Sequence, residues 1–365
     1  MISMNDFRSE PEELLQRELQ AVERVLRSGW YVLGKELAAF EAAWARQCGL
    51  AHAVGVGNGM DALEIGLTAL GIGQGDEVIT TPMTAFATTL AILRAGATPV
   101  FADIDASSAL LDPESVERCI TPRTRAVLLV HLYGHMHGME RWQALCRERE
   151  LLLLEDCAQA HLASEQGRMA GSFGAWGAFS FYPTKNLGAI GDAGMLVTSD
   201  DELARKARTL RNYGQSERYH HPVRGLNSRL DELQAALLAE RLAWLERFTA
   251  RRREIARTLH AELRNPLVAP LAPPSHAENH VHHLFVVRCA RRDELSAFLK
   301  ARGVDSLIHY PVPVHRQEPC VGLPRDPRGL AGAEQHASTC LSLPCHPQLG
   351  DEQLAQLIDA VNAYH

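Results

Sequence analysis

No stretch of this 365-residue chain reaches the roughly 18 consecutive apolar residues that a membrane-spanning helix needs. The opening segment, Met1-Ile-Ser-Met-Asn-Asp-Phe-Arg-Ser-Glu-Pro11, has no apolar core of secretion-signal length, so a cytoplasmic protein without a membrane partner is expected. Basic excess is missing as well. A net charge of −7 lacks the footprint of a nucleic-acid binder, although it leaves room for a local basic pocket that takes a phosphorylated ligand. The eight cysteines (48, 119, 146, 157, 289, 320, 340 and 345) include no C-x-x-C pair. Neither a disulfide framework nor an iron–sulfur cluster is expected, and the thiols should be reduced and mostly buried. Internal repeats and low-complexity stretches are absent.

What is present is an ordinary globular composition, 46% hydrophobic and 22% charged, on a chain long enough for two domains. Pro11 to Leu26 and Leu37 to Cys48 carry helical periodicity. Strand and helix patterns then alternate: strands at 53–56, 77–81 and 99–104, helices at 60–70 and 85–95. Ala126 to Leu132 and Leu151 to Glu155 are continuous apolar runs of strand length, as in a parallel sheet covered on both faces. Further strands are expected at 176–182 and 194–198. Beyond Leu226 the pattern changes. Asp231 to Leu259 predicts one long helix with Arg251, Arg252 and Arg253 on a solvated face, and 265–279 reads as a connection. A strand at 283–289 and helices at 292–302 and 351–363 complete a smaller unit. The expected division is an α/β domain with N-terminal helices over 1–240 and a smaller α+β domain over 241–365.

Four segments carry candidate chemistry. Gly177-Ala-Phe-Ser-Phe-Tyr-Pro-Thr-Lys-Asn-Leu-Gly-Ala-Ile-Gly-Asp-Ala-Gly194 places Lys185 between a strand-like aromatic run and a glycine-punctuated turn. Desolvation there would lower its pKa and make the amine a nucleophile, but position alone favours a solvated surface lysine. Gly55-Val-Gly-Asn-Gly-Met-Asp-Ala-Leu63 joins a strand to a helix and suits an anion, or a plain turn; it matches neither G-x-G-x-x-G nor a P-loop. Leu154-Glu-Asp-Cys-Ala-Gln159 puts Asp156 and Gln159 at a strand's carboxyl end, where open α/β sheets bind ligands and where a carboxylate also caps helices. His131-Leu-Tyr-Gly-His-Met-His137 lacks the glutamate and helical spacing of H-E-x-x-H, so no metal site is expected.

In sequence order, a phosphate-type turn, an acidic strand end and a pocket lysine on an α/β sheet resemble the pyridoxal-phosphate (PLP) transferases of fold type I, the aspartate aminotransferase-like fold. The chain is more specifically similar to the DegT/DnrJ/EryC1/StrS family of nucleotide-sugar aminotransferases. The likeness rests on Ser28-Gly-Trp-Tyr-Val-Leu-Gly34, Gly57-Asn-Gly-Met-Asp-Ala-Leu63, Thr84-Ala-Phe-Ala-Thr88, Glu155-Asp-Cys-Ala-Gln-Ala-His161, Ser180 to Gly194 and Leu226-Asn-Ser-Arg-Leu-Asp-Glu-Leu-Gln-Ala-Ala236. The resemblance implies a mostly parallel central sheet and a cofactor carried covalently by Lys185. It further implies that Asp156 pairs with the pyridine nitrogen, Gln159 bonds the ring hydroxyl oxygen and Phe86 lies on the ring face. Gly59 and Met60 amides with the Ser180 hydroxyl would hold the phosphate, joined by Asn227 of a second copy in a homodimer with shared sites. Met60 stands where many relatives have threonine.

The amino donor implied is L-glutamate. Asp305-Ser-Leu-Ile-His-Tyr-Pro-Val-Pro-Val-His-Arg-Gln317 and Arg211-Asn-Tyr-Gly-Gln-Ser-Glu-Arg-Tyr-His220 resemble members that aminate C3 of a dTDP-3-keto-6-deoxyhexose. On that likeness Tyr182, His309, Tyr310 and His315 would line the sugar pocket, and Tyr219 or His220 would lie near the nucleotide. The alternatives are amination at C4 of a UDP- or GDP-linked keto-sugar, a PLP-dependent sugar dehydratase, and a non-catalytic regulatory member. The pathway would supply amino sugars to lipopolysaccharide O-antigen or other surface glycans, or to secondary metabolites.

Overall fold

A computed structural model describes residues 1–365. Its centre is a seven-stranded sheet made of β1 (His52–Val56), β2 (Glu77–Thr80), β3 (Thr98–Phe101), β4 (Thr124–Val130), β5 (Leu152–Asp156), β6 (Gly177–Ser180) and β7 (Gly194–Thr198). The order across the sheet is β1-β7-β6-β5-β4-β2-β3. Only β7 runs antiparallel to its neighbours.

The two-residue period of each strand divides its side chains between two cores. Val127, Leu129, Leu153, Phe179 and Met195 face a layer with Leu37, Phe40 and Trp44. Ala126, Leu128, Leu154, Ala178 and Leu196 face the opposite layer with Ile65 and Leu67. Burial on both faces is why β4 and β5 read as unbroken apolar runs. Each fully buried large side chain contributes roughly 1.5–3 kcal/mol. The eight cysteines are buried and unpaired. No helix is long and apolar enough to cross a membrane.

A second, three-stranded antiparallel sheet consists of Ala269–Pro270, Phe285–Arg288 and Cys340–Leu343. Its core gathers Ile255, Leu259, Phe285, Val287, Leu299 and Leu357, and also Ile2. The Ile2 N–H donates to Gly303 O at 2.7 Å and the Asp305 N–H to Ile2 O at 2.8 Å, so the first residues pack on this later unit.

The long helix expected over 231–259 is two helices, Glu232–Leu242 and Leu245–Glu262. At the break the Trp244 N–H bonds Arg241 O, a three-residue step that tightens the turn. Arg252 is not on a solvated face: it is buried, and its Nη1 donates to the carbonyls of His282, His283 and Cys345. Helices at Pro113–Cys119, Met139–Glu148, Asp201–Leu210 and Ala331–Thr339 were not anticipated. Two of them begin on aspartates that cap, Asp112 and Asp200.

Candidate active site

The carboxyl ends of β5 and β6 and the start of the helix Gly59–Ala69 meet beside Lys185. Asp156 closes β5 and is 6% exposed. Its Oδ2 accepts the Thr88 hydroxyl at 2.8 Å and its Oδ1 accepts the Ala158 N–H at 3.1 Å. Burial raises its pKa against those hydrogen bonds and the Lys185 charge. No arginine or lysine forms a salt bridge with it, so a buried carboxylate has unspent acceptor capacity and lacks a bonded cation.

Lys185 follows β6 in a turn closed by its own N–H on Tyr182 O at 2.8 Å. The side chain is half-buried, and desolvation lowers its pKa to about 8 despite the opposing pull of Asp156. Roughly a tenth of such amines are unprotonated at pH 7. Three histidines feel its charge, His161, His283 and His309, and burial already keeps all three well below the usual imidazole range.

Gln159 is oriented by the backbone. The Tyr133 N–H can only donate, so its partner at 2.6 Å is the amide oxygen, Oε1. The amide nitrogen is thereby turned the other way, 3.3 Å from the Tyr310 hydroxyl. Gln159 therefore offers a donor.

The helix Gly59–Ala69 begins under Asn58, whose side chain accepts the Asp61 N–H at 2.9 Å. No protein acceptor takes the Gly59 or Met60 N–H. A Cβ at Gly59 would lie 2.6 Å from that of Ser180, so only glycine lets the helix start come this close to β6. The Ser180 oxygen accepts the Tyr182 N–H at 3.3 Å, which leaves the hydroxyl proton free to donate. These donors at a helix N-terminus suit a phosphate.

PLP fits this donor set. A protonated pyridine nitrogen would supply the cation that Asp156 lacks, a ring oxygen would take the Gln159 donor, and a phosphate would take the free N–H groups. Phe86, first residue of the helix Phe86–Arg94, is half-buried against the same apolar cluster as Tyr310.

The other expected site residues lie as follows. Asn227 is exposed on the segment whose next residue, Ser228, takes the Gly57 N–H at 2.9 Å. Tyr182 is 52% exposed and Tyr219 81%; His220 is exposed with its Nδ1 on Ser216 Oγ at 3.0 Å. His309 is half-buried, with Nδ1 on Ser342 Oγ at 2.9 Å. Burial, then the Lys185 charge, lowers its pKa to about 4, and burial pushes the Tyr310 phenol up to about 12. His315 points elsewhere. It is buried against Glu334, Nε2 to Oε1 at 3.1 Å, with its ring near Phe101, and it shares no contact with the Lys185 group.

Sequence reasoning gave no part to Thr88 or Tyr133, although both lie in segments it singled out. A cavity of about 370 Å³ borders Asp105, His135, His137 and Arg141 and shares no residue with the lysine cluster.

Residues 12–362 match the model of the DegT/DnrJ/EryC1/StrS aminotransferase family. The dTDP-3-amino-3,4,6-trideoxy-alpha-D-glucose transaminase of Streptomyces venezuelae is 47% identical over 98% of this chain and 95% of its own. The solved structure of S. venezuelae DesV superposes with a TM-score of 0.95 at 46% identity, covering 99% of this chain and 97% of that one. The Bacillus subtilis protein ntda, solved with bound cofactor PMP, superposes at 0.88 with 29% identity, covering 97% and 82%. With the lysine, aspartate and glutamine so arranged, the chain belongs to the DegT/DnrJ/EryC1/StrS aminotransferase family, a PLP-dependent enzyme of fold type I.

Proposed function

We propose that this enzyme transfers the amino group of L-glutamate to C3 of a dTDP-linked 3-keto-6-deoxyhexose. The observation that carries the reading is the buried Asp156 carboxylate, lacking a bonded cation, at the strand end beside a lysine whose pKa is lowered to about 8. The choice of sugar rests on the 47% identical relative, whose name places an amino group on C3 of a dTDP-hexose.

When bound, PLP supplies an electrophilic carbon for the amino group and a protonated ring that draws electrons away from it. Asp156, fixed by Thr88, would keep the ring nitrogen protonated. Gln159 Nε2 would donate to the ring oxygen. Gly59, Met60 and Ser180 would hold the phosphate, and Phe86 would cover the ring face. Lys185 would be the residue that carries the cofactor, through Nζ. Freed, the same nitrogen moves a proton between the cofactor carbon and the substrate carbon, first with glutamate and then with the sugar. A pKa near 8 suits both taking and returning that proton near neutral pH.

We assign Tyr182, His309 and Tyr310 to the sugar pocket, and Tyr219 and His220 to the nucleotide. His315, turned onto Glu334, is assigned to bracing the loop that presents His309 and Tyr310. A homodimer with shared sites is inferred from exposed Asn227 together with exposed Trp30, Tyr31 and Ile190, apolar surface that a second copy would cover. Buried, unpaired cysteines suit a reducing cytoplasm. The division into domains is proposed at the break between the two helices, at Ala243–Trp244.

Incubation with glutamate and a panel of C3- and C4-keto nucleotide sugars, with product identification by NMR, tests the reading. Amination at C3 of the dTDP-6-deoxyhexose is expected. Selective amination at C4 refutes it.

A further inference from the structure

No side chain of the segment His131-Leu-Tyr-Gly-His-Met-His137 was given a part in the chemistry above, yet the segment joins the two halves of the cleft. Leu132–Gly134 is one tight turn after β4, with Tyr133 at φ +62°. A left-handed conformation at a non-glycine residue costs about 1–2 kcal/mol, so the surrounding structure must impose it. Gly134 follows at φ +90°, where a Cβ would lie 2.7 Å from Gln159 O and 2.6 Å from Val281. The turn is thus pressed against the Gln159 backbone.

Its geometry sends the two polar groups of Tyr133 to opposite sides. The N–H donates to Gln159 Oε1 at 2.6 Å and so decides which end of that amide faces the cleft. The hydroxyl, on a side chain 1% exposed, lies 2.5 Å from His309 O and 2.9 Å from His336 Nε2. A phenol has one proton and a carbonyl only accepts, so the proton goes to His309 O and His336 Nε2–H donates to the phenol oxygen. Burial lowers the His336 pKa to about 4 and raises that of the Tyr133 phenol, which keeps the chain neutral. Next along the loop, the Tyr310 hydroxyl oxygen accepts from Gln159 Nε2 at 3.3 Å. Gln159, Tyr133, His309 and Tyr310 therefore form a closed ring of contacts.

We propose that Tyr133 is a positioning residue that sets the His309–Tyr310 loop at a fixed place relative to Gln159, and so sets the enzyme's hold on the sugar rather than on PLP. The inference rests on the assignment of His309 and Tyr310 to the sugar pocket.

Tyr133→Phe keeps the ring and the N–H and loses only the hydroxyl. On the holoenzyme, the Kd of the dTDP-3-amino sugar product by titration calorimetry should rise about tenfold, or about 1.4 kcal/mol. KM for the keto-sugar should rise alike. The Kd of PLP for the apoprotein, read by fluorescence, should rise less than about threefold, because the contact to Gln159 is a backbone one. Equal losses of both affinities, or no loss of product affinity, overturn the proposal. His309→Ala separates the two layers of argument. If it leaves product affinity intact, the sugar-pocket assignment falls and this inference with it. If it weakens the product and Tyr133→Phe does not, only the inference falls. Should Tyr133→Phe fail to fold, His336→Ala removes the donor from the same hydroxyl and must give the same selective loss.

Discussion

Thr88 donates its hydroxyl proton to Asp156 Oδ2 at 2.8 Å, and its oxygen lies 2.7 Å from the Thr84 hydroxyl. Because the Thr88 proton is committed to the carboxylate, Thr84 must be the donor in the second bond. The relay offsets part of the rise in pKa that burial imposes on this carboxylate. Thr88→Val keeps the shape and removes the donor. A hydrogen bond to a charged group is worth about 1.5–3 kcal/mol, so kcat/KM for the glutamate half-reaction should fall roughly 10- to 100-fold. Thr88→Ser should keep most of the activity. Stopped-flow absorbance of the cofactor band measures both; equal rates in Thr88→Val and the native enzyme would refute the role.

Lys185→Ala should abolish turnover, and measurable turnover in that variant sinks the assignment of Lys185. The apoprotein offers an independent test of its burial. In the unfolded chain the lysine keeps its proton up to about pH 10.5, while in the fold it releases it near pH 8. Between those values the unfolded state binds more protons, so this group makes stability rise with pH. Urea unfolding of native apoprotein and of Lys185→Met from pH 7 to 10.5 isolates the effect, since the other titrating groups are common to both. The stability of native relative to Lys185→Met should climb through that window and level off above it. A flat difference would mean the amine is solvated.

Most of the central sheet was legible because β4, β5 and β7 are apolar on both faces, a pattern that survives without knowledge of neighbours. The structure brings Lys185, Asp156 and Gln159 together, and their motifs are local: Asp156 closes β5, Gln159 follows it by three residues and Lys185 follows β6 by five. The break at Trp244 was not legible, since Ala243 and Trp244 continue a helical pattern, while Ile255 and Leu259 beyond it pack in a second core. Arg252 was misread for the same reason: three arginines in a row look solvated, and the carbonyls that take Arg252 come from residues 30 and 93 positions away. His315 shared a loop with His309, but nothing local foretold that its ring would turn to Glu334, 19 residues on. Tyr133 lies in a histidine motif whose local pattern speaks only to metal binding. Its hydroxyl partners, 176 and 203 residues away, are invisible in the sequence around it.

Shared sites have a consequence that mixing can read. If Asn227 serves the phosphate of the opposite copy, Asn227→Asp puts a negative charge there and should inactivate that neighbour's site, while Lys185→Ala inactivates its own. A mixed dimer of the two variants then has one site with both defects and one site with neither. Random reassortment of equal amounts makes half the dimers mixed, so about a quarter of native activity should return. The two variants, unfolded together and refolded with PLP, are compared with each refolded alone. Sites built within a single chain would recover nothing on mixing, because each chain would carry its own defect into every partnership. Recovery near a quarter therefore reports both the dimer and the crossing of Asn227, two inferences that size measurement alone would leave tangled.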